Sequence, residues 1–324
     1  MKKSRFQSLI TQLAPYLSSV NMQADPLSPT YRANNFNLTW GSSKYNSWMA
    51  MGDPRTADWP LVASPIPTLM MSATYLLLVN WLPKVLKGRT LPVYYPVIAY
   101  NFALVLLNLY IVVELLLTTS HYRWTCNPVD YSEDAGTLRT ARAVWWVYIS
   151  KLVEMLDTFF FIAKGNYRQL SFLHMYHHST IFILWWLGVK YVPGGNCIAG
   201  AILNSFIHVI MYSYYFLSAF GSRFKKYLWW KRYLTRLQLA QFAFCLVHAC
   251  VAYQDGCPWP EWMYCWFISY QASFLVLFGN FYIVNYIKKN NDNKMKPSKN
   301  GMSENRLSIG IKTEHQMANG KKRN

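Results

Sequence analysis

Charged side chains are scarce in this chain. Asp, Glu, Lys and Arg make up 14% of its 324 residues, whereas about a quarter of the residues of a soluble domain are charged. Hydrophobic residues make up 53% of the chain and aromatic residues 17%. This composition excludes an ordinary soluble domain. Although the length would allow two domains, the spread of apolar residues predicts one membrane-embedded body.

Acidic residues are the scarcest charged class, since 14 Asp and Glu stand against 32 Lys and Arg for a formal net charge of +18. The basic residues lie mainly in the termini and a few short loops, without a basic patch interleaved with aromatic residues. We therefore relate the charge to membrane topology and anionic ligands, and expect no nucleic-acid partner.

The first 60 residues also lack an apolar core behind a basic start, which argues against a cleaved signal peptide.

Long apolar stretches are what the chain has instead. A membrane helix needs roughly 20 mostly apolar residues, and seven stretches qualify as candidates. We therefore predict an all-α polytopic membrane protein with seven transmembrane helices, or six or eight if one stretch is misassigned. The candidate spans are residues 65–83, 95–117, 143–163, 171–190, 198–219, 234–253 and 263–287.

The loops between these spans predict the orientation of the chain. Lys and Arg concentrate in one set of loops and in the C-terminal tail, whereas acidic residues concentrate in the opposite set. Because cytosolic loops carry the excess of basic residues, the C-terminus is predicted to be cytosolic and the N-terminus lumenal. The chain then divides into a lumenal segment (1–60), a seven-helix transmembrane domain (61–287) and a disordered basic cytosolic tail (288–324).

Two features of the predicted lumenal side agree with this topology. Asn37 begins an Asn-Leu-Thr glycosylation sequon. Cys126 and Cys257 both fall in predicted lumenal loops, where disulfides persist. We predict that these two cysteines pair, with two free thiols, or Cys197 as a competing partner, as the alternatives.

The end of the predicted cytosolic tail carries a targeting pattern. Lys321 and Lys322 stand four and three places from the C-terminus. This is the dilysine pattern of retrieval to the endoplasmic reticulum, although a basic tail can contain it by accident. We expect a multi-pass protein of the endoplasmic-reticulum membrane.

The third predicted span, which contains "KLVEMLDTFF", carries several ionisable residues. Such residues are costly inside a membrane, so each is a functional hypothesis. At about 100° per residue, Lys151, Glu154, Asp157 and Thr158 fall within one arc of roughly 120°. An internal ion pair of Lys151 with Glu154 or Asp157 would explain part of this face. Four polar groups on one face favour a polar cavity.

Polar residues of three further spans converge on the same zone. In "SFLHMYHHS" of the fourth span, His174, His177 and His178 lie within roughly 100° of arc. The predicted topology places all these groups toward the cytosolic side or the middle, with apolar surface beyond, which suits a ligand with a charged head and a hydrocarbon tail. Glutamines can also simply join helices by hydrogen bonds. The fifth and sixth spans contribute Asn204, His208, Met211, Tyr212 and Tyr215, and Thr235, Gln238 and Gln241.

The histidine cluster allows two chemistries. Membrane di-iron desaturases and hydroxylases need several histidine clusters, whereas this chain has seven histidines in all and one cluster. Three imidazoles can hold zinc, yet no carboxylate or cysteine stands beside the cluster. Neutral imidazole is also a nucleophile, and an acyl-imidazole keeps much of the activation of a thioester. We favour this covalent role; a seven-helix receptor or channel would leave the aligned polar faces unexplained.

Four motifs together carry a resemblance to a known family. "KLVEMLDT", "HMYHH", "NSFIHVIMYSYY" and "TRLQLAQF", in that order, resemble those of the elongases of very-long-chain fatty acids, over about residues 55–290. "SPIPTL" and "KYLWWKRYLT" look most like the animal number-four group and related polyunsaturated-acid elongases. The resemblance implies seven transmembrane helices, six of them in a barrel around an acyl tunnel.

The resemblance also implies the activity and the partners. Such enzymes condense an acyl-CoA with malonyl-CoA to give 3-oxoacyl-CoA, CoA and carbon dioxide, without a metal or other cofactor. Membrane lipid, self-association and the reductases and dehydratase of the same cycle are the partners that it implies.

The residue roles follow from matching motifs. His177 corresponds to the nucleophile, His174 and His178 would orient and tune it, and His208 would act as acid/base partner or oxyanion stabiliser. The polar zone would be lined by Lys151, Glu154, Asp157, Asn204, Gln238 and Gln241. The substrate tunnel would be shaped by Thr158, Met211, Tyr212, Tyr215 and Thr235.

The phosphates of CoA require basic partners on the cytosolic side. This chain departs from relatives that carry a run such as Leu-Arg-Lys-Lys after the third span, because it has "IAKGNYRQ" there. Each basic candidate could instead serve only as a topology signal. The candidates for binding CoA are Lys164, Arg168, Lys226, Lys231 and Arg232.

Overall fold

A computed structural model describes residues 41–119, 122–123 and 125–288, and these residues form helices and loops without a strand. The chain divides into two compact units, Met1–Trp48 and Met49–Asn324. The glycosylation sequon at Asn37 and the dilysine pattern at Lys321 and Lys322 lie outside the described residues, as does the tail beyond Lys288.

Nine α-helices and one terminal π-helix account for most of the described residues. The first helix, α1, is Gly41–Ala50, and the π-helix Ile283–Lys288 extends the last one. The others are α2 (Pro65–Leu86), α3 (Tyr94–Thr118), α4 (Ala135–Glu154), α5 (Leu156–Ala163), α6 (Phe172–Tyr191), α7 (Cys197–Ala219), α8 (Lys231–Gln254) and α9 (Glu261–Tyr282).

Five of the described helical segments are long and apolar enough to cross a membrane. The helices α4 and α6 are not among them, because they carry the charged residues and the histidine cluster, which lower their hydropathy. These five segments confirm the multi-pass membrane character that the sequence predicts. The five segments are Pro65–Leu86, Tyr94–Thr118, Cys197–Ala219, Lys231–Gln254 and Glu261–Lys288.

Side-chain caps define where two of these helices begin. The hydroxyl of Ser64 accepts a hydrogen bond from the Ile66 amide at 3.2 Å, and proline occupies the first turn of α2. The carboxylate of Asp134 accepts hydrogen bonds from the Thr137 amide at 2.9 Å and from the Gly136 amide at 2.7 Å. These bonds satisfy amide groups that the first turn leaves free, and they hold the pKa of the Asp134 carboxyl below its usual range.

The third predicted span is interrupted, whereas the sequence had predicted one helix over residues 143–163. At Met155, between α4 and α5, the amide bonds to the Leu152 carbonyl at 3.2 Å, and the Thr158 amide bonds to the Met155 carbonyl at 3.2 Å. These bonds span three residues rather than four, so the helix tightens locally. The hydroxyl of Tyr100 donates to the Val153 carbonyl at 3.2 Å, in the same turn.

The long helices contact one another in a continuous order. Helix α3 packs against α4 and α7, α4 against α6, α7 against α8, and α8 against α9, while α2 packs against α6 and α5. Hydrogen bonds connect α9 back to α6, because Tyr176 pairs with Ser273 at 3.1 Å and Thr180 with Tyr270 at 2.8 Å. The contacts from α6 therefore return to α6 through five other helices.

The segment that precedes α2 lies against the end of α6. The Asp53 amide donates to the Lys190 carbonyl at 2.7 Å, and the Thr56 hydroxyl donates to the Val189 carbonyl at 2.9 Å. The guanidinium of Arg55 donates to the Asp53 carboxylate at 2.7 Å, in an ion pair whose two side chains are both buried. The helical body therefore includes residues before position 61.

A disulfide between Cys126 and Cys257, whose Cα atoms are 5.4 Å apart, joins the loop before α4 to the loop before α9. This is the pair expected from the sequence, and Cys197, the competing candidate, is a free buried thiol. The side-chain amide of Asn196 donates to the Tyr264 hydroxyl at 2.8 Å and to the Cys257 sulfur at 3.2 Å. These bonds join the start of α7 to the first turn of α9 and to the loop before it.

We expect Gly195→Ala to lower the free energy of unfolding by about 1–2 kcal/mol, because an L-residue there adopts a left-handed conformation. Gly195 has φ +68°, and a Cβ atom would lie 2.8 Å from the Asn127 carbonyl oxygen. Gly194→Ala is the matched control, since its Cβ would meet only Val129 at 3.8 Å. Thermal unfolding in detergent measures both variants, and equal stabilities would contradict the prediction.

Candidate active site

A closed ring of polar side chains connects α4 to α7. Lys151 and Glu154 are both 0% exposed, and the ammonium donates to the two carboxylate oxygens at 3.0 and 3.2 Å. The ammonium also donates to Asn204 Oδ1 at 2.9 Å. His208 Nδ1 lies 3.0 Å from Glu154 Oε1, and Asn204 Nδ2 lies 3.4 Å from His208 Nε2. The internal ion pair considered from the sequence therefore forms, with Glu154 as its acid.

The two polar residues of α5 each bond to another helix. The Tyr212 hydroxyl donates to Asp157 Oδ2 at 2.8 Å, which connects α7 to α5. Thr158 Oγ1 lies 2.7 Å from His174 Nε2 and 2.9 Å from the Tyr75 hydroxyl. Thr158 is therefore the centre of a chain of hydrogen bonds that runs from α2 to the histidine cluster.

The histidine cluster lies in the first two turns of α6. The Ser171 hydroxyl caps this helix by accepting from the His174 amide at 3.2 Å. The ring centroid of His178 lies 4.4 Å from that of His174 and 5.0 Å from that of His177. The His177 ring also contacts Phe274 of α9, with centroids 5.4 Å apart. Within the described residues, no group of three or more His, Cys, Asp or Glu is placed to hold a metal ion.

A polar cavity of about 480 Å³ brings these groups together. It extends from the histidine cluster and His208 to Arg168 and Lys231, in the segments that the topology predicts to be cytosolic. Of the four histidines with predicted roles and the six residues predicted to line the polar zone, nine line this cavity and Lys151 does not. The nine are Glu154, Asp157, His174, His177, His178, Asn204, His208, Gln238 and Gln241.

A second, mainly apolar cavity lies between α6, α7, α8 and α9. Four residues line both cavities, so the two cavities meet at His177, Asn204, Gln241 and Phe242. The imidazole of His177 thus stands between a polar chamber and an apolar one. From there the apolar lining runs through Leu184, Gly188, Phe267, Met263, Trp266 and Trp259.

Some of the residues predicted to shape the substrate tunnel or to bind CoA line the polar cavity, and the others do not. Met211, Tyr212, Tyr215, Thr235, Arg168 and Lys231 line it. Thr158 instead supports His174 through its hydrogen bond. Lys164, Lys226 and Arg232 are not in the cavity lining. Burial lowers the pKa of the Lys164 ammonium, and Arg232 Nε donates to the Tyr282 hydroxyl at 3.2 Å.

Several residues of the site were missed by the sequence reasoning. Tyr75 belongs to α2, which carries no cluster of ionisable residues, so no signal indicated its bond to Thr158. Ser171 could have been found, because a serine that directly precedes a helix is a common N-cap. The polar-cavity lining also includes Gln169, Tyr214, Asn285 and Tyr286.

We expect Thr158→Val to destabilise the protein by about 1–3 kcal/mol for each buried polar group that it leaves without a partner. The groups affected are the Tyr75 hydroxyl and His174 Nε2. Thr158→Ser keeps the hydroxyl and should retain nearly all of the stability. Thermal unfolding in detergent compares them, and a loss with Thr158→Ser as large as that with Thr158→Val would contradict the role of the hydroxyl.

Comparisons with known proteins identify similar chains. Residues 60–294 match the profile of the family described as "ELO: GNS1/SUR4 family". The chain is 48% identical over 281 residues to very long chain fatty acid elongase 4 of Mus musculus, covering 86% of this chain and 89% of that protein. It is 40% identical over 270 residues to very long chain fatty acid elongase 5 of Tachysurus fulvidraco, covering 81% of this chain and 89% of that protein.

Proposed function

The chain belongs to the ELO: GNS1/SUR4 family, and we propose that it condenses a long- or very-long-chain acyl-CoA with malonyl-CoA. The products are 3-oxoacyl-CoA, CoA and carbon dioxide, which makes the protein a 3-oxoacyl-CoA synthase of fatty acid elongation. One observation carries the chemistry: His177 lies where a polar and an apolar cavity meet. An acyl-CoA has the same division, since its thioester joins a polar, phosphate-bearing group to a hydrocarbon chain.

The first half of the reaction transfers the acyl group to His177. The hydrocarbon chain occupies the apolar cavity, and the CoA group occupies the polar cavity, with its phosphates toward Arg168 and Lys231, which line that cavity. Neutral imidazole attacks the thioester carbonyl, and the CoA thiolate leaves. The acyl-imidazole remains reactive because its ring nitrogen donates little electron density to the carbonyl.

The second half forms the new carbon–carbon bond. Malonyl-CoA enters the polar cavity and loses carbon dioxide, and the resulting enolate attacks the acyl-imidazole and releases His177. Gln238 and Gln241 provide amide donors in that cavity, and such donors stabilise developing negative charge on oxygen. This scheme requires neither a metal nor a cofactor, because both half-reactions use only the two substrates and side chains.

The neighbouring histidines orient the nucleophile. His174 is held by its bond to Thr158 at 2.7 Å, and His178 packs between the other two rings. Packing and a hydrogen bond restrict these rings, which keeps His177 in one orientation toward the junction of the cavities. Preorganisation of this kind reduces the entropy lost on reaching the transition state.

The membrane arrangement is part of the same proposal. We propose seven transmembrane helices, with α4 and α5 together as one span. Six of them enclose the cavities, and α2 lies outside. The return of helix contacts from α9 to α6 supports the enclosure. The disulfide supports a lumenal location for the loops of Cys126 and Cys257, with the N-terminus lumenal and the C-terminus cytosolic.

The cellular context follows from the family and the targeting patterns. We propose residence in the endoplasmic-reticulum membrane, with retrieval through Lys321 and Lys322 and glycosylation at Asn37. Self-association and association with the reductases and dehydratase of the elongation cycle complete the proposal. Lys164, Lys226 and Arg232 are proposed to attract the CoA phosphates electrostatically before the CoA group reaches the polar cavity.

We expect His177→Ala to abolish formation of 3-oxoacyl-CoA from acyl-CoA and labelled malonyl-CoA, because the acyl-imidazole cannot form. His248→Ala is the matched control, since His248 stacks on Phe244 and lines neither cavity. Mass spectrometry of peptides from wild-type protein incubated with acyl-CoA alone should find the acyl group on His177. Normal turnover by His177→Ala would refute the covalent role.

A further inference from the structure

A glutamine lies among the aromatic and aliphatic side chains of the apolar cavity. Gln271 belongs to the middle of α9 and lines that cavity. Only 8% of the residue is exposed, and its carbonyl oxygen Oε1 has no hydrogen-bond partner among the residues that the structure describes. The large majority of buried polar side-chain atoms in proteins do have such a partner. This buried, unpaired acceptor therefore requires an explanation.

The contacts of α9 with α6 give the depth of Gln271 in the cavity. The His177 ring contacts Phe274, with centroids 5.4 Å apart. Gln271 precedes Phe274 by three positions, so it lies on the same face about one helical turn farther along α9. The cavity lining continues in that direction through Phe267 and Met263. An acyl chain that is bonded to His177 must therefore pass Gln271 with its first few carbons.

The side chains around Gln271 do not supply a hydrogen-bond donor for Oε1. The hydroxyl of the preceding residue, Tyr270, is paired with Thr180 at 2.8 Å. Phe267 and Phe274, one turn away on either side, have no polar side-chain atom. A hydrocarbon chain in the cavity would leave Oε1 unpaired, whereas a chain with a hydroxyl group at this depth would bring a donor to it.

We propose that Gln271 selects acyl chains that carry a hydroxyl group near the carbonyl end, by accepting a hydrogen bond from that hydroxyl at Oε1. This inference rests on the proposed elongase function and deepens it, because it names a class of acyl chain. A hydroxyl adds little volume and leaves the rest of the chain as hydrocarbon for the apolar lining. A charged donor such as an ammonium would lose its hydration in this cavity at a large cost in free energy.

The selectivity follows from the burial of the amide. A site that hydrogen-bonds a substrate hydroxyl discriminates against the analogue that lacks it, because the buried group of the site then remains unpaired. A purely apolar pocket distinguishes the two chains much less, since it only weakly rejects an added hydroxyl. The single amide of Gln271 therefore determines which of the two chains is the better substrate.

The experiment compares Gln271→Met, which removes the acceptor with little change of length, with Gln254→Met. Gln254 is the matched control, because it is exposed and lines neither cavity. The substrates are acyl-CoAs of one chain length that carry a hydroxyl on successive carbons near the carbonyl, and kcat/KM with labelled malonyl-CoA is measured relative to the unsubstituted acyl-CoA. Wild type and Gln254→Met should prefer one hydroxylated position roughly tenfold or more, and Gln271→Met should lose this preference.

A ketone on the preferred carbon tests the direction of the hydrogen bond in wild-type protein, so this test does not require Gln271→Met to fold. The ketone cannot donate and should gain nothing over the unsubstituted chain. An equal preference for the ketone, or a hydroxyl preference that persists in Gln271→Met, would overturn the inference.

Thermal stabilisation of the protein in detergent measures binding of the same acyl-CoAs without turnover, and the hydroxylated chain should stabilise wild type more than the unsubstituted chain does. If wild type binds acyl-CoA and forms no 3-oxoacyl-CoA from any of them, the elongase function is refuted. If wild type is active without preferring a hydroxyl at any position, only the role of Gln271 is refuted.

Discussion

The buried Lys151–Glu154 ion pair is the interaction on which the rest of the site depends. Removing two charges from water costs several kcal/mol per ion, and a pair recovers this only when its remaining donors and acceptors are also satisfied. Neither side chain has solvent access, so Asn204 and His208 must supply the missing bonds. The pair therefore holds α4 and α7 in one register. That register directs His208 and Asn204 into the polar cavity.

The need to pair buried polar groups also explains why one of the two cavities is polar and the other is apolar. The three histidines of α6 lie in its first two turns, and Gln238 and Gln241 lie in the first half of α8, whereas the cavity lining farther along these two helices is mainly aromatic and aliphatic. A membrane permits polar side chains in its interior only when they pair with one another or line a cavity. The result is a chamber with two kinds of wall, and His177 occupies the boundary. In the proposed reaction, this boundary orients the amphiphilic thioester before a bond forms.

Helical periodicity predicted from the sequence which polar side chains share a face of each helix. Residues at spacings of three and four share a face, so the arithmetic brought Glu154 and Asp157 toward His174, Asn204 and Gln238, which do line one cavity. It failed for Lys151 and Thr158, which lie behind that lining, because sharing a face does not specify depth. The same arithmetic assumes a regular helix. The tightened turn at Met155 changes the face of the helix on which the following residues lie.

Basic residues were the least predictable part. Lys226 and Arg232 have no periodic pattern to orient them, since they lie in or beside loops, and Arg232 bonds to Tyr282 rather than facing the polar cavity. A long flexible side chain gains little free energy from any single conformation on the surface. The place of such a residue in the sequence therefore indicates the side of the membrane rather than contact with a ligand.

The sequence by itself determined the apolar segments, the membrane class, the order of the four motifs and hence the family, because these depend on residue type and local spacing. The tertiary structure alone decided which acid pairs with Lys151, which side chains contact the His208 ring, and where the two cavities meet. These outcomes depend on contacts between helices that are distant in the chain, such as the contact between Lys151 and Asn204, which are 53 positions apart. Local propensities carry no information on such contacts; close packing and the need to satisfy buried charges decide them.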